Sequence, residues 1–170
     1  MLLTAMMLTF TLTLLAQVTT SALSGTVTMT DTKAKIRAML REISELESIG
    51  DACFNMGRTI NRKFVAKQDH FNEQQYNHLH QMMGLTDNAL TQMNYLMLGR
   101  KESFDVNRTF NIENEINNYR NQLKSQNINS VNNHEYTYAE GTVYMDLVNE
   151  CEKLGDYVVN VVEARMGLRR

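Results

Sequence analysis

Apolar residues recur along this chain at helical spacing, and nowhere is period-two alternation sustained. From Lys33 to about Lys63, Ile36, Leu40, Ile43, Gly50 and Phe54 fall on one stripe, with Met39, Leu46, Cys53 and Met56 flanking it. Residues 65–71 read as a connection. The stretch FNEQQY then gives a helix start, with Asn72 as N-cap, Gln75 as its capping-box partner, and Phe71 and Tyr76 as a hydrophobic staple. That second helix carries Leu79, Met82, Met83, Leu90, Met93, Leu96 and Met97 and stops near Gly99. Its Met-rich stripe fits adaptable core packing better than a ligand groove. A third helix spans about 106–127, with Ile112, Ile116, Tyr119 and Leu123 at the spacing of a bundle seam. INSVNNHEYT breaks the pattern. The fourth helix starts at Tyr136 or Tyr138 and runs to Met166, with Leu147, Val148, Cys151, Leu154, Val158, Val161 and Val162 on a broad apolar face. The expected fold is all-α. Residues 70–167 make a self-contained three-helix bundle, and the helix at 33–64 is a fourth element with an apolar stripe of its own to cover.

Composition supports this picture. A chain of 170 residues without Pro, with few turn signals, reads as mostly helical. A net charge of −2 leaves no electrostatic footprint for nucleic acid. Cys53 and Cys151 have no zinc-ligand spacing and read as buried free thiols of a reducing compartment. The opening run MLLTAMMLTFTLTLLA is uncharged over residues 1–16, short of the roughly 20 residues a membrane span needs. It also lacks the early Lys or Arg of a signal peptide. A weak signal or anchor, a partner-seeking helix and the remnant of a longer helix all fit it. Residues 20–32, rich in Ser, Thr and Gly, read as a loop.

The chemistry concentrates in an internal repeat. Glu45, Glu47, Gly50, Asp51 and Asn55 match Glu150, Glu152, Gly155, Asp156 and Asn160, in the pattern E-x-E-x-[IL]-G-D-x-x-x-N. Residues four apart share a helix face, so Glu47 with Asp51, and Glu152 with Asp156, form columns of hard oxygen ligands. On a helical wheel Glu47 falls inside the apolar stripe and Asp51 at its edge. Glu152 and Asp156 flank an apolar face, and Glu45 points away as an ordinary solvated residue. A partly buried carboxylate pair needs protons, a basic partner or a cation. Two readings therefore stand side by side: basic residues of the same bundle satisfy the carboxylates, or a metal does. His78 and His80 diverge on their helix, and all four histidines, with His70 and His134, read as surface residues. There is no Gly-rich phosphate loop. No E-x-x-H pair of the di-iron four-helix type occurs on either motif helix. No nucleophile and base can be paired from the sequence, so the chain does not read as an enzyme.

LREISELESIGDACFNMGR and MDLVNECEKLGDYVVNVVE resemble the two signature helices of PhoU domains. The style of the two motifs is most like the cytosolic PhoU tail of sodium/phosphate cotransporter family proteins. The likeness covers about 14–167 and is weakest over 1–13. It implies tandem three-helix bundles, each carrying an E/D-x-x-x-D metal motif on its last helix. On that basis residues 67–170 are a complete second bundle, 25–66 the motif helix of an incomplete first one, and 1–24 a remnant helix. The implied metal ligands are Glu47 and Asp51, then Glu152 and Asp156, with Glu113 as an addition. The implied ion is iron, manganese or magnesium. The implied role is regulatory: docking on, or forming part of, a membrane phosphate transporter at the inner face of the plasma membrane. The chain would have no transport activity of its own. The exposed stripe of the 33–64 helix also invites a homodimer.

Overall fold

The computed structural model describes residues 32–65, 71–100 and 102–167. The readings of residues 1–24, of the loop at 20–32 and of His70 lie outside these, apart from Thr32. Four helices account for the regular structure of the described residues: α1 (Thr32–Val65), α2 (Glu73–Met97), α3 (Val106–Asn132) and α4 (Tyr138–Met166). No strand occurs among them.

Local sequence sets the starts. Asn72 caps α2 and exchanges hydrogen bonds with Gln75, closing the expected capping box. Phe71 packs edge-on against Tyr76, with ring centroids 5.9 Å apart, as the staple requires. A second capping box, Thr137 with Glu140, starts α4 at Tyr138. Asp105 caps α3 through the Asn107 N–H. The sequence reading ended α3 too early, near Asn127. The helix continues to Asn132 because its last turns pack on α4. A side-chain carbon at Gly141 would lie 2.9 Å from both Asn127 Oδ1 and Val131 Cγ2, so only glycine admits this approach. Tertiary packing here overrides the poor helix propensity of an Asn/Ser-rich segment.

α4 is the central element. It touches each of the other three helices, whereas α1 touches α4 alone among the described residues. The α2–α3–α4 core holds Leu79, Met82, Leu90, Met93, Ile116, Leu123, Leu147 and Leu154, all fully buried. α1 adds Ile49, Ala52, Cys53 and Met56 to it. The Cys151 thiol donates to the Met56 sulfur at 3.8 Å, deep in the α1–α4 seam.

The face of α1 that packs is not its apolar stripe. Ile36, Leu40, Ile43 and Phe54 are 46, 61, 48 and 67 % exposed. At about 100° per residue, Ile49, Cys53 and Met56 lie on the opposite side from these four. α1 therefore has two apolar faces, one seated on α4 and one turned outward.

Candidate functional site

The two repeat-bearing helices lie against each other. Contacts run Arg41 to Glu163, Glu45 to Asn160 and Met56 to Cys151, rising along α1 as they fall along α4, so the pair is antiparallel. Asn160 Nδ2 donates to Glu45 Oε2 at 3.1 Å. That joins the last motif position of one copy to the first of the other. It also corrects the reading of Glu45 as a solvated residue.

The four proposed metal ligands occupy different settings. Glu47 and Asp51 are exposed on the outward side of α1. Glu152 is partly buried, and its Oε1 accepts from Arg120 of α3 at 2.7 Å. Asp156 is exposed, one turn further along α4. Glu113, on α3, accepts from Asn117 Nδ2 at 2.6 Å. Glu47 keeps its wheel position among Leu40, Ile43 and Gly50, but that stripe faces solvent, which corrects the expectation of a partly buried pair at Glu47 and Asp51. Among the described residues, no three His, Cys, Asp or Glu side chains gather closely enough to hold an ion. For Glu152 the basic partner is present within the bundle; for Glu47 the described residues show no ion pair.

The offset of the repeat sets each outward residue of α1 against a residue of α4. Within the repeat, Glu47, Gly50 and Phe54 correspond to Glu152, Gly155 and Val159, and the same offset carried upstream sets Ile36, Leu40 and Ile43 against Gly141, Met145 and Val148. On α4 this face packs inward. Gly141 meets Asn127 and Val131, Glu152 meets Arg120, and a carbon on Gly155 would stand 3.0 Å from Ile116 Cδ1. All three contacts are with α3. At Gly50 an added carbon would meet nothing within 4 Å. The same surface is thus covered by a helix in one copy and open in the other.

Sequence reading missed a polar seam between α1 and α4. Glu42 and Glu163 are each only 2 % exposed. Arg165 Nη1 reaches Glu42 Oε1 at 3.4 Å, and Arg41 Nη2 reaches Glu163 Oε2 at 3.3 Å and Asn160 Oδ1 at 3.4 Å. Burial raises the Glu42 carboxyl above its ordinary value, and the neighbouring Arg165 charge and hydrogen bond offset part of the rise. One signal was legible: Glu163 and Asn160 are the two polar residues of the Val-rich run VVNVVEA.

His78 also departs from the surface reading. It is partly buried, its Nδ1 lies 3.2 Å from the Tyr144 hydroxyl, and its ring meets Tyr119 edge-on. Burial lowers its pKa and lifts that of Tyr144 well above the ordinary phenol value. The pair borders a small cavity with Gln75, Gln126, Ser130 and Tyr136. Gln75 gives its oxygen to the capping box, so its amide nitrogen turns inward, where no protein acceptor meets it. No charged side chain lines this cavity, which is chemically unsuited to a metal ion. Both cysteines are free and buried, and burial pushes each thiol up to about 12. Neither is a nucleophile at neutral pH.

No family model, curated protein or solved structure matches the chain. None of the described helices is long and apolar enough to cross a membrane.

Proposed function

We propose that the chain is a non-catalytic, PhoU-like association module. Its outward α1 face completes the helical packing within an assembly, and that assembly regulates a membrane phosphate transporter from the cytoplasmic side. One observation carries the association step. The α1 face built from Ile36, Leu40, Ile43, Glu47, Gly50 and Phe54 is the repeat equivalent of the α4 face that packs on α3, and it is exposed. Four large apolar side chains on one helical face cost hydration free energy that a covering partner relieves. The link to phosphate transport comes from the resemblance of the two motif helices alone. Its test is labelled phosphate uptake in cells producing the chain or its Leu40→Glu variant. The intact chain is expected to change uptake and the variant to lose the effect; equal uptake with either protein and with an empty vector removes the proposal.

The metal belongs to the same resemblance. Glu152 and Asp156 lead, because they lie on the helix with a complete bundle around it, and Glu47 and Asp51 follow. Iron, manganese or magnesium suits the oxygen donors. An ion at Glu152 competes with Arg120. Elemental analysis of protein purified without chelator is expected to show a bound ion lost in the Glu152→Ala/Asp156→Ala variant. A second reading, an association module without metal, is favoured by the Arg120–Glu152 pair and the solvated Glu47 and Asp51. Metal-free protein of unchanged stability under metal-replete conditions selects it.

A further inference from the structure

This inference rests on the reading of α1 as an association face and names what covers its part at residues 47–58. We propose that the occupant is a second copy of this chain, its α1 laid antiparallel so that Phe54 of each copy fills the notch at Gly50 of the other and Arg58 of each meets Glu47 of the other.

The template lies within the chain. On α4, Gly155 and Glu152 receive Ile116 and Arg120, an apolar residue and a cation four positions apart on antiparallel α3. The repeat equivalents on α1 are Gly50 and Glu47. Whatever covers them by the same geometry presents an apolar side chain and, one turn on, a cation. Residues 1–32 contain neither Lys nor Arg and cannot supply it. α1 itself does. Phe54 and Arg58 are four apart on the same outward face. They already form a unit: the Arg58 guanidinium carbon stands 5.9 Å from the centroid of the Phe54 ring, and Arg58 Nη2 donates to Asn55 Oδ1 at 3.0 Å.

The arrangement closes on itself. Seating Phe54 of one copy over Gly50 of the other places Arg58 of the first at Glu47 of the second. The two-fold operation repeats both contacts in reverse, as an isologous interface demands. Gly50 has open space where a side chain would stand, so the ring has somewhere to go. The two Asp51 side chains fall at the edge of the interface near the dyad, where solvent screens their repulsion.

The test is sedimentation velocity over a concentration series, for wild type, Glu47→Arg, Arg58→Glu and the double variant Glu47→Arg/Arg58→Glu. Wild type is expected to dimerise with concentration. Each single variant sets like charges against each other and weakens the dimer at least tenfold. The double variant restores the pairing with signs reversed and recovers dimerisation to within about threefold. All these positions are exposed, and circular dichroism verifies the fold. A dimer insensitive to the single swaps, or one not rescued by the double swap, overturns the proposal. So does a wild-type chain that stays monomeric, which requires no variant. A monomer whose effect on phosphate uptake still depends on Leu40 overturns the dimer and leaves the association reading. A monomer with no such dependence overturns both.

Discussion

The buried carboxylates of the α1–α4 seam tie the stability of the fold to their cations and to pH. Glu42 is held almost out of water, and Arg165 is the cation that reaches it. Removing the cation leaves a buried carboxylate without it, so Arg165→Ala is expected to lower unfolding free energy by about 2–3 kcal/mol in urea titrations at neutral pH. Glu42→Gln removes the charge and keeps an acceptor for Arg165, so it costs less than about 1 kcal/mol or stabilises. The pH dependence follows from the raised carboxyl. Its contribution to stability is complete below the ordinary carboxylate pKa and is lost as pH rises through the raised folded value. Wild type should therefore gain on Glu42→Gln as pH falls from 7 toward the carboxylate range; a constant gap between the two denaturation curves contradicts this. The thiols give a second expectation. Cys53 and Cys151 are buried and protonated, so a disulfide-exchange reagent at neutral pH should titrate no thiol in the folded chain and two after unfolding.

Helices are distinguished here less by their periodicity than by which face finds a neighbour. The outward stripe of α1 has the clearer pattern in sequence, yet the packed face is the opposite one, where Glu42 and Glu45 interrupt the apolar positions. Motif glycines show the same difference between equivalent sites. In α4, Gly155 lets Ile116 approach, and a methyl group there would press on its Cδ1 at 3.0 Å. In α1, Gly50 faces open space. Helix propensity alone favours alanine over glycine by about 1 kcal/mol. Gly50→Ala should therefore raise the thermal midpoint of the chain at concentrations where it is monomeric. Gly155→Ala should gain little or lose, because Ile116 must move. Equal gains from both in a melting experiment would mean that the α3–α4 approach does not depend on glycine.

At the scale of the whole molecule, α4 carries the connectivity. α2 and α3 pack on each other and on α4, whereas α1 is held by α4 alone. An element with one neighbour opens before the core does. Native-state hydrogen exchange should thus show the interior amides of α1 exchanging through a subglobal opening, with α2, α3 and α4 protected to the global limit. Uniform protection across all four helices would rule this out. Neighbours within a turn or two fix the all-α class, the four helices and the capping box at Asn72, and the motif repeat is plain from residue identities alone. The sequence also marked the seam residues Ile116 and Leu123 and the apolar face of α4, since a single strong periodicity leaves one face to bury. Packing between helices settled the rest. It placed the inward face of α1, prolonged α3 to Asn132, gave Arg120 to Glu152, buried Glu42 and Glu163, and drew His78 to Tyr144. Each of these depends on contacts between residues far apart in the chain. Periodicity can show that a helix has an apolar stripe, but which stripe is covered depends on the free energy of whole surfaces meeting, and that belongs to no single segment.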